Sequence, residues 1–275
     1  MARRPPYANV SRKLVTHDST SEGARTIPEE IAVAFTYGSA TFAVMMATPD
    51  DIEDLARGFS LTEGIVASPS EIEAIEIVPH EQGVEARMIL NEKRDEQLLL
   101  RRRRLAGPGG CGLCGIESLT AAIAPVRAVD AALYVDPPTI FAALCALRSG
   151  QQLNTATHAV HAAGFWSVAQ NRLVALREDV GRHNALDKLA GALARAGVKA
   201  ETGFIVMSSR LSIELVQKAA MIGCPMLVAV SAPTNYALRA AEAAGMTLVA
   251  VARDDSFEVF THPERIMIAA LDETR

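Results

Sequence analysis

Cys111 and Cys114 stand two residues apart in GPGGCGLCGIESL, Gly107–Leu119, just beyond the run Arg101-Arg102-Arg103-Arg104. Such a pair serves three chemistries: half of a zinc site, a redox dithiol, or a sulfur carrier. A structural zinc needs two more ligands. No second Cys-x-x-Cys exists, and the available partners, His158 and His161 in THAVH, lie far along the chain at a spacing one short of the finger pattern. A zinc deaminase needs His-x-Glu and Pro-Cys-x-x-Cys, yet Gly110 precedes Cys111 and neither histidine has the glutamate. A thioredoxin-type dithiol fits the helix expected after Cys114, but the strand before it is weak. A carrier thiol should be exposed, mobile and partly thiolate. Gly107, Gly109, Gly110, Gly112 and Gly115 leave the sulfurs open, and the arginines and a following helix N-terminus favour the thiolate. Residue physics leaves redox and carriage both open.

The elements that would position chemistry are legible further on. RLVALRED, GFIVMSS, PMLVAVS and TLVAVARDD read as strands, alternating with the helices NALDKLAGALARAG, SIELVQKAAMIG and TNYALRAAEAAG. This predicts a layered α/β part with a mainly parallel sheet. In such sheets ligands bind beyond the carboxyl ends of the strands, where helix N-termini also favour anions. The loops there are polar: REDVGRHN, with Arg182 and His183; SSR, with Ser209 and Arg210; SAPTN; and Arg253-Asp254-Asp255-Ser256. REDVGRHN is far denser in charge than helix capping needs, which points to a pocket for a charged ligand such as a nucleotide. No phosphate-binding G-x-x-x-x-G-K-[ST] loop and no G-x-G-x-x-G occurs, which argues against an ordinary ATPase or dinucleotide dehydrogenase.

Ahead of this part, EEIAVAFTYGSATFAVMMATP predicts a β-hairpin, DDIEDLARGFSLTEGI a helix, and Ile72–Val78 and Glu85–Leu90 strands; DPPTIFAALCALRSG reads as a helix. The expected organisation is a flexible polar tail over 1–26, a smaller mixed α+β part over 27–135 ending with the cysteine loop, and the α/β part over 136–275. The 275 residues are 49% hydrophobic with a formal net charge of -5, so a sizeable core is available and a nucleic-acid partner is disfavoured. Cys145 and Cys224 lie in apolar contexts and read as small buried hydrophobes; four cysteines suit a reducing compartment. Neither a signal peptide nor a membrane span is visible, so a cytoplasmic protein is expected.

CGLCG (Cys111–Gly115), REDVGRHNALDK (Arg177–Lys188), SSR (Ser208–Arg210), AVSAPT (Ala229–Thr234) and THPERI (Thr261–Ile266), with MATPDDIEDLARGF and LTEGIV earlier, together resemble the FdhD/NarQ family of formate dehydrogenase accessory sulfurtransferases. The likeness covers nearly all of Pro28–Ile266. Ser60 stands where an apolar residue is expected, and NTATHAVHAAGFW is a loose version of a family segment. The resemblance implies a homodimer with a cytidine-deaminase-like α/β part lacking the catalytic zinc. It implies persulfide transfer from a cysteine desulfurase to the molybdenum or tungsten bis-molybdopterin guanine dinucleotide cofactor of formate dehydrogenase. Cys111 is then expected as the carrier, with Cys114 relaying or stabilising. The cofactor contact segment falls on Val251, Ala252, Arg253, Asp254, Asp255 and Ser256, joining Arg182, His183, Ser209 and Arg210. The rival is a non-enzymatic chaperone that grips the guanine cofactor and holds a metal between the cysteines.

Overall fold

The computed structural model describes residues 4–38, 40–94 and 126–268. Cys111, Cys114, the four-arginine run and the helix expected after Cys114 lie outside them. The chain opens with strands β1 (Tyr7–Val15) and β2 (Thr20–Pro28), paired antiparallel from Tyr7↔Pro28 to Val15↔Thr20. From Tyr7 onward the expected flexible tail is therefore corrected to an ordered ribbon. Nearly every ribbon residue is exposed, so no burial pattern marks these strands in the sequence. The ladder and a Thr16–Ser19 turn hold them instead.

Next come β3 (Ile31–Tyr37), β4 (Ala40–Ala47), helix α1 (Ile52–Thr62), β5 (Ile72–His80) and β6 (Gly83–Leu90). They form a four-stranded sheet in the order β4-β3-β6-β5, with α1 on one face. Alternate residues Val33 and Phe35 pack inward with Leu55 and Phe59 of the helix. Ser60 is fully buried among them, and its oxygen is 2.7 Å from the Tyr37 hydroxyl while it donates to the Ala56 carbonyl at 2.8 Å. The unexpected serine thus gives a buried tyrosine its polar partner.

The second unit contains α2 (Pro137–Gly150), α3 (Gln152–Thr157), β7 (His161–Ser167), β8 (Arg172–Asp179), α4 (Arg182–Arg195), β9 (Gly203–Met207), α5 (Ile213–Met221), β10 (Met226–Ala229), α6 (Asn235–Ala244), β11 (Thr247–Ala250) and β12 (Glu258–Val259). Its six-stranded sheet runs β12-β11-β10-β9-β7-β8. Only β9–β10 and β10–β11 pair in parallel, so the sheet is mixed rather than mainly parallel. The reason is β7, absent from the sequence reading. The short turn at Val168–Asn171 joins it to β8, a connection that only antiparallel strands allow. Period-2 alternation divides the sheet: Ile205 and Met207 pack against α4 and α5, while Phe204 and Val206 face α2. Helix α2 buries only Ile140, Ala143, Leu144 and Leu147. Cys145 points outward and is exposed, which corrects its expected burial; Cys224 is buried, and burial pushes its thiol up to about 12.

The two units meet where α1 crosses α4. A methyl on Gly58 would come within 1.7 Å of the Asp187 carbonyl oxygen, and one on Gly191 within 1.9 Å of the Asp54 carbonyl oxygen. Backbone touches backbone there. Gly191→Ala must force the helices apart and is expected to destabilise the protein by about 1–3 kcal/mol or more. Gly23→Ala in the exposed ribbon, with no neighbour nearer than 4.0 Å, serves as the near-neutral control. Urea unfolding midpoints of the two variants check this.

Candidate functional site

The carboxyl ends of β8, β9, β10 and β11 lie on one edge of the six-stranded sheet, together with the start of β7. REDVGRHN runs along it, but three of its four charged side chains, Arg177, Glu178 and Asp179, are taken up by internal partners. Arg177 donates to Asp54 Oδ2 through Nη2 at 2.7 Å and Nε at 3.0 Å, and Arg195 closes the other side at 2.8 Å. Burial raises the Asp54 carboxyl, but the Arg195 and Arg177 guanidiniums outweigh it and hold it below the usual carboxylate range. Glu178 caps α3, accepting from the backbone N–H groups of Leu153 and Asn154, both at 2.8 Å. Asp179 is completely buried; it accepts from Thr48 N, Gly181 N and the Asn184 amide and lies 2.7 Å from Lys188 Nζ. Lys188 in turn donates to the Thr48 carbonyl at 3.0 Å.

A second buried cluster sits beside it. Lys218 Nζ donates to both Asp187 oxygens at 3.0 Å and to Glu63 at 2.6 Å, and Thr62 donates to Asp187 at 2.6 Å. Burial would lower the Lys218 ammonium, but the two carboxylates raise it. THPERI is structural as well: Thr261 Oγ1 ties the Met246 carbonyl to the Leu248 N–H, and Arg265 donates to the Gly245 carbonyl. These scaffold contacts account for most of the charge density that pointed to a ligand pocket.

Arg182 and His183 remain at the edge. They open α4, whose N-cap is Gly181 and whose first turn has no side-chain cap. Helix α5 starts alongside, with Ser212 as N-cap and again no side-chain capping bond. His183 Nε2 is 3.4 Å from Ser212 Oγ, which brings the two N-termini together. The Arg182 Nε is buried without a hydrogen-bond partner. Orphan N–H groups, two helix dipoles and an unpaired guanidinium nitrogen form an environment for an anion. Glu214 in the first turn of α5 is the opposing charge; its carboxyl is held low first by the Ser212 hydroxyl. Burial, then the positive charges of Arg182 and Lys218, push His183 down to about 4, so at neutral pH it is an uncharged imidazole. Burial and Arg182 also lower His161. The sequence reading missed Ser212; the signal was a helix-capping serine two residues after SSR.

The remaining predicted site residues line the edge further along. Ser209 is buried and donates to the Arg210 carbonyl at 3.2 Å, while Arg210 is exposed. The segments 208–212 and 230–234 are linked by Leu211 N to the Ala232 carbonyl and Thr234 N to the Leu211 carbonyl. Val251–Ser256 follows. Val251 has φ 52, a left-handed conformation rare for a β-branched residue, and such strain marks functional turns. Arg253 N donates to the Ser256 carbonyl at 2.7 Å, and the Arg253 guanidinium donates to the Val230 carbonyl. Asp254 pairs with Arg148 of α2. Among the described residues no hydrogen bond joins Arg253–Ser256 directly to Arg182 or His183; the 230–234 loop stands between them. His158, an alternative zinc partner, caps α3 at φ 54, and no group of three His, Cys, Asp or Glu able to hold a metal occurs among the described residues.

Residues 28–267 match the model of the FdhD/NarQ family. The chain belongs to this family. A sulfur carrier protein FdhD from Agrobacterium fabrum is 49% identical over 263 residues, covering 95% of this chain and 97% of the relative. The protein of that name from Brucella abortus is 50% identical over 247 residues, covering 90% of this chain and 91% of its own. A crystal structure described as a formate dehydrogenase accessory protein from Desulfotalea psychrophila superposes with TM-score 0.74 at 25% identity, over 96% of this chain and all of that one. Family membership therefore agrees with the resemblance read from the motifs. No helix among the described residues is long and apolar enough to cross a membrane.

The His183 environment has a measurable consequence. Its folded pKa of about 4 lies below the unfolded value of about 6.5, so the unfolded chain binds more protons between them. This contribution to stability is complete above about pH 6.5 and declines as pH falls toward 4. In His183→Gln the decline should be shallower by up to one proton across that window, measured as unfolding midpoint against pH; identical slopes in both proteins would contradict the burial.

Proposed function

We propose that the protein is a sulfurtransferase of formate dehydrogenase maturation. It takes sulfur as a persulfide from a cysteine desulfurase and passes it to the bis-molybdopterin guanine dinucleotide cofactor of the client enzyme. The observation that carries the nucleotide half is the pair of uncapped helix N-termini at Arg182–His183 and Ser212, together with an Arg182 Nε that has no hydrogen-bond partner. A diphosphate there would meet free N–H groups and a guanidinium without displacing any hydrogen bond of Arg182 Nε. Neutral His183 adds a hydrogen-bonding group without further charge. The strained Val251 turn and the carboxylates of Asp254 and Asp255 suit the other end, where a carboxylate accepts from guanine N1–H and the exocyclic amine. The α/β layer is read as deaminase-like, with this edge taking a guanine nucleotide where a deaminase holds zinc.

Sulfur chemistry falls to Cys111 and Cys114. A Cys111 thiolate attacks the outer sulfur of the desulfurase persulfide; the desulfurase thiolate leaves and Cys111 carries the persulfide. Attack by the Cys114 thiolate on the inner Cys111 sulfur then expels hydrosulfide and leaves a disulfide, which a cellular dithiol reopens. The segment bearing both cysteines is rooted away from the nucleotide edge. Arg94 donates to the carbonyls of Gly64, at 2.8 Å, and Ile65, while Arg127 reaches Met221 at the carboxyl end of α5 and Val129 N donates to Ala244 at that of α6. The fourteen-residue α4 sets the separation between the two edges at roughly 21 Å. From Arg94 to Cys111 the contour allows roughly 55 Å, enough to reach the nucleotide edge of the same or a second copy. The working form is read as a homodimer.

The test has two arms. With labelled desulfurase persulfide, wild type should acquire one dithiothreitol-labile sulfur. Cys111→Ala should lose it and Cys114→Ala should keep it without delivering it; the opposite pattern reverses the assignment, and label on neither cysteine ends the proposal. In the second arm, Arg182→Ala should weaken GDP binding by about tenfold or more in calorimetry, since a charge-assisted hydrogen bond is worth about 1.5–3 kcal/mol.

A further inference from the structure

The β1–β2 ribbon belongs to neither sheet. An isolated two-stranded hairpin is marginal in water, yet this one holds a nine-pair ladder. One of its faces carries Val10, Leu14 and Ile27, which are 36%, 44% and 39% exposed, interleaved with Arg12 and Arg25. Its base is fixed: Glu29 N donates to the Pro6 carbonyl at 2.8 Å, and Arg4 donates to the Glu81 carbonyl. A second apolar surface is also uncovered. On the four-stranded sheet, the face away from α1 presents Val44 and Met46, 57% and 50% exposed, with Ala34 and Ala32 opposite them in register. Glu85 and Glu76 occupy neighbouring positions on that face, beside Arg87 and His80, both of which pair with Glu85. The ribbon does not fold back over it; within the chain β2 runs beside α3.

We propose that the ribbon is an exchange arm, which crosses to a second copy of the chain and covers the Val44–Met46 face of its four-stranded sheet. Charge favours a copy of the same chain. Residues 1–28 hold five basic and two acidic side chains, net +3, while the rest holds 22 basic and 30 acidic, net -8. A basic arm is thereby steered to an acidic body. Area is sufficient as well. A nine-residue ribbon is about 30 Å long and about 10 Å wide, so two exchanged arms bury on the order of 1,200 Å², the lower range of specific interfaces. The inference rests on the homodimer reading, which it deepens by assigning the surfaces.

Sedimentation equilibrium of the full chain tests it. Wild type should be a dimer that weakens with salt. Val10→Asp/Leu14→Asp on the arm and Val44→Asp/Met46→Asp on the face should each raise the dissociation constant at least tenfold, with unchanged far-ultraviolet circular dichroism. Arg12→Glu/Arg25→Glu repeats the arm test without altering apolar side chains, so a folding defect in the first variant leaves the question decidable. A monomeric wild type overturns both the two-copy reading and the arm. A dimer indifferent to both arm variants overturns the arm alone, and one indifferent only to the face variant overturns the assigned receptor.

Discussion

The fold depends on the contact between α1 and α4, where Gly58 and Gly191 let two backbones touch. Around it stand buried ion pairs whose partners come from both units. Asp54 on α1 is answered by Arg177 and Arg195, while Thr48, ahead of α1, completes the shells of Asp179 and Lys188. A buried charge with one partner missing costs several kcal/mol, whereas a fully hydrogen-bonded one is tolerated. Asp54 of the first unit has its charge partners only in the second, and the Asp179–Lys188 pair of the second takes further hydrogen bonds from Thr48 of the first. The four-stranded sheet and the six-stranded layer are consequently coupled as one folding unit, although each has its own apolar core.

The same contact fixes the candidate site. Asp179 receives the Gly181 N–H and the Asn184 amide, which holds the first turn of α4 in place. Arg182 and His183 stand between these anchored residues, with Lys218, locked to Asp187 and Glu63, behind them. The scaffold therefore spends its carboxylates on internal partners and leaves the adjacent N–H groups and the Arg182 nitrogen unanswered. The anion-binding reading of this edge rests on that asymmetry, rather than on any excess of basic residues in the whole chain.

Much of this was readable from the sequence, and the failures share a cause. Helices α1, α2 and α4 through α6 announce themselves by helical periodicity and by Gly or Pro at their ends, and strands β9 to β11 by short runs of β-branched residues between those helices. Strand β7, HAAGFWS, is almost wholly buried like β9 to β11 but holds no Val, Ile or Thr, so neither alternation nor β-branched composition marks it, and without it the sheet looks parallel. The β1–β2 ribbon has the opposite problem: no face is buried, so polarity conceals it. Cys145 shows that an apolar stretch does not say which way each member points.

REDVGRHN carries the sharper lesson. Nucleotide pockets and buried ion-pair shells draw on the same residue types, and only the location of the partners separates them. Arg177, Glu178, Asp179 and Asn184 find theirs at Asp54, at α3, at Thr48 and at Met46, positions separated from them by up to 138 residues. No local pattern encodes those distances. What the sequence did carry was the loop's position at the end of a strand, which puts any residue left without an internal partner at the ligand edge. Arg182 qualifies by that subtraction through its Nε, while His183 beside it is held by Ser212 of the neighbouring helix start.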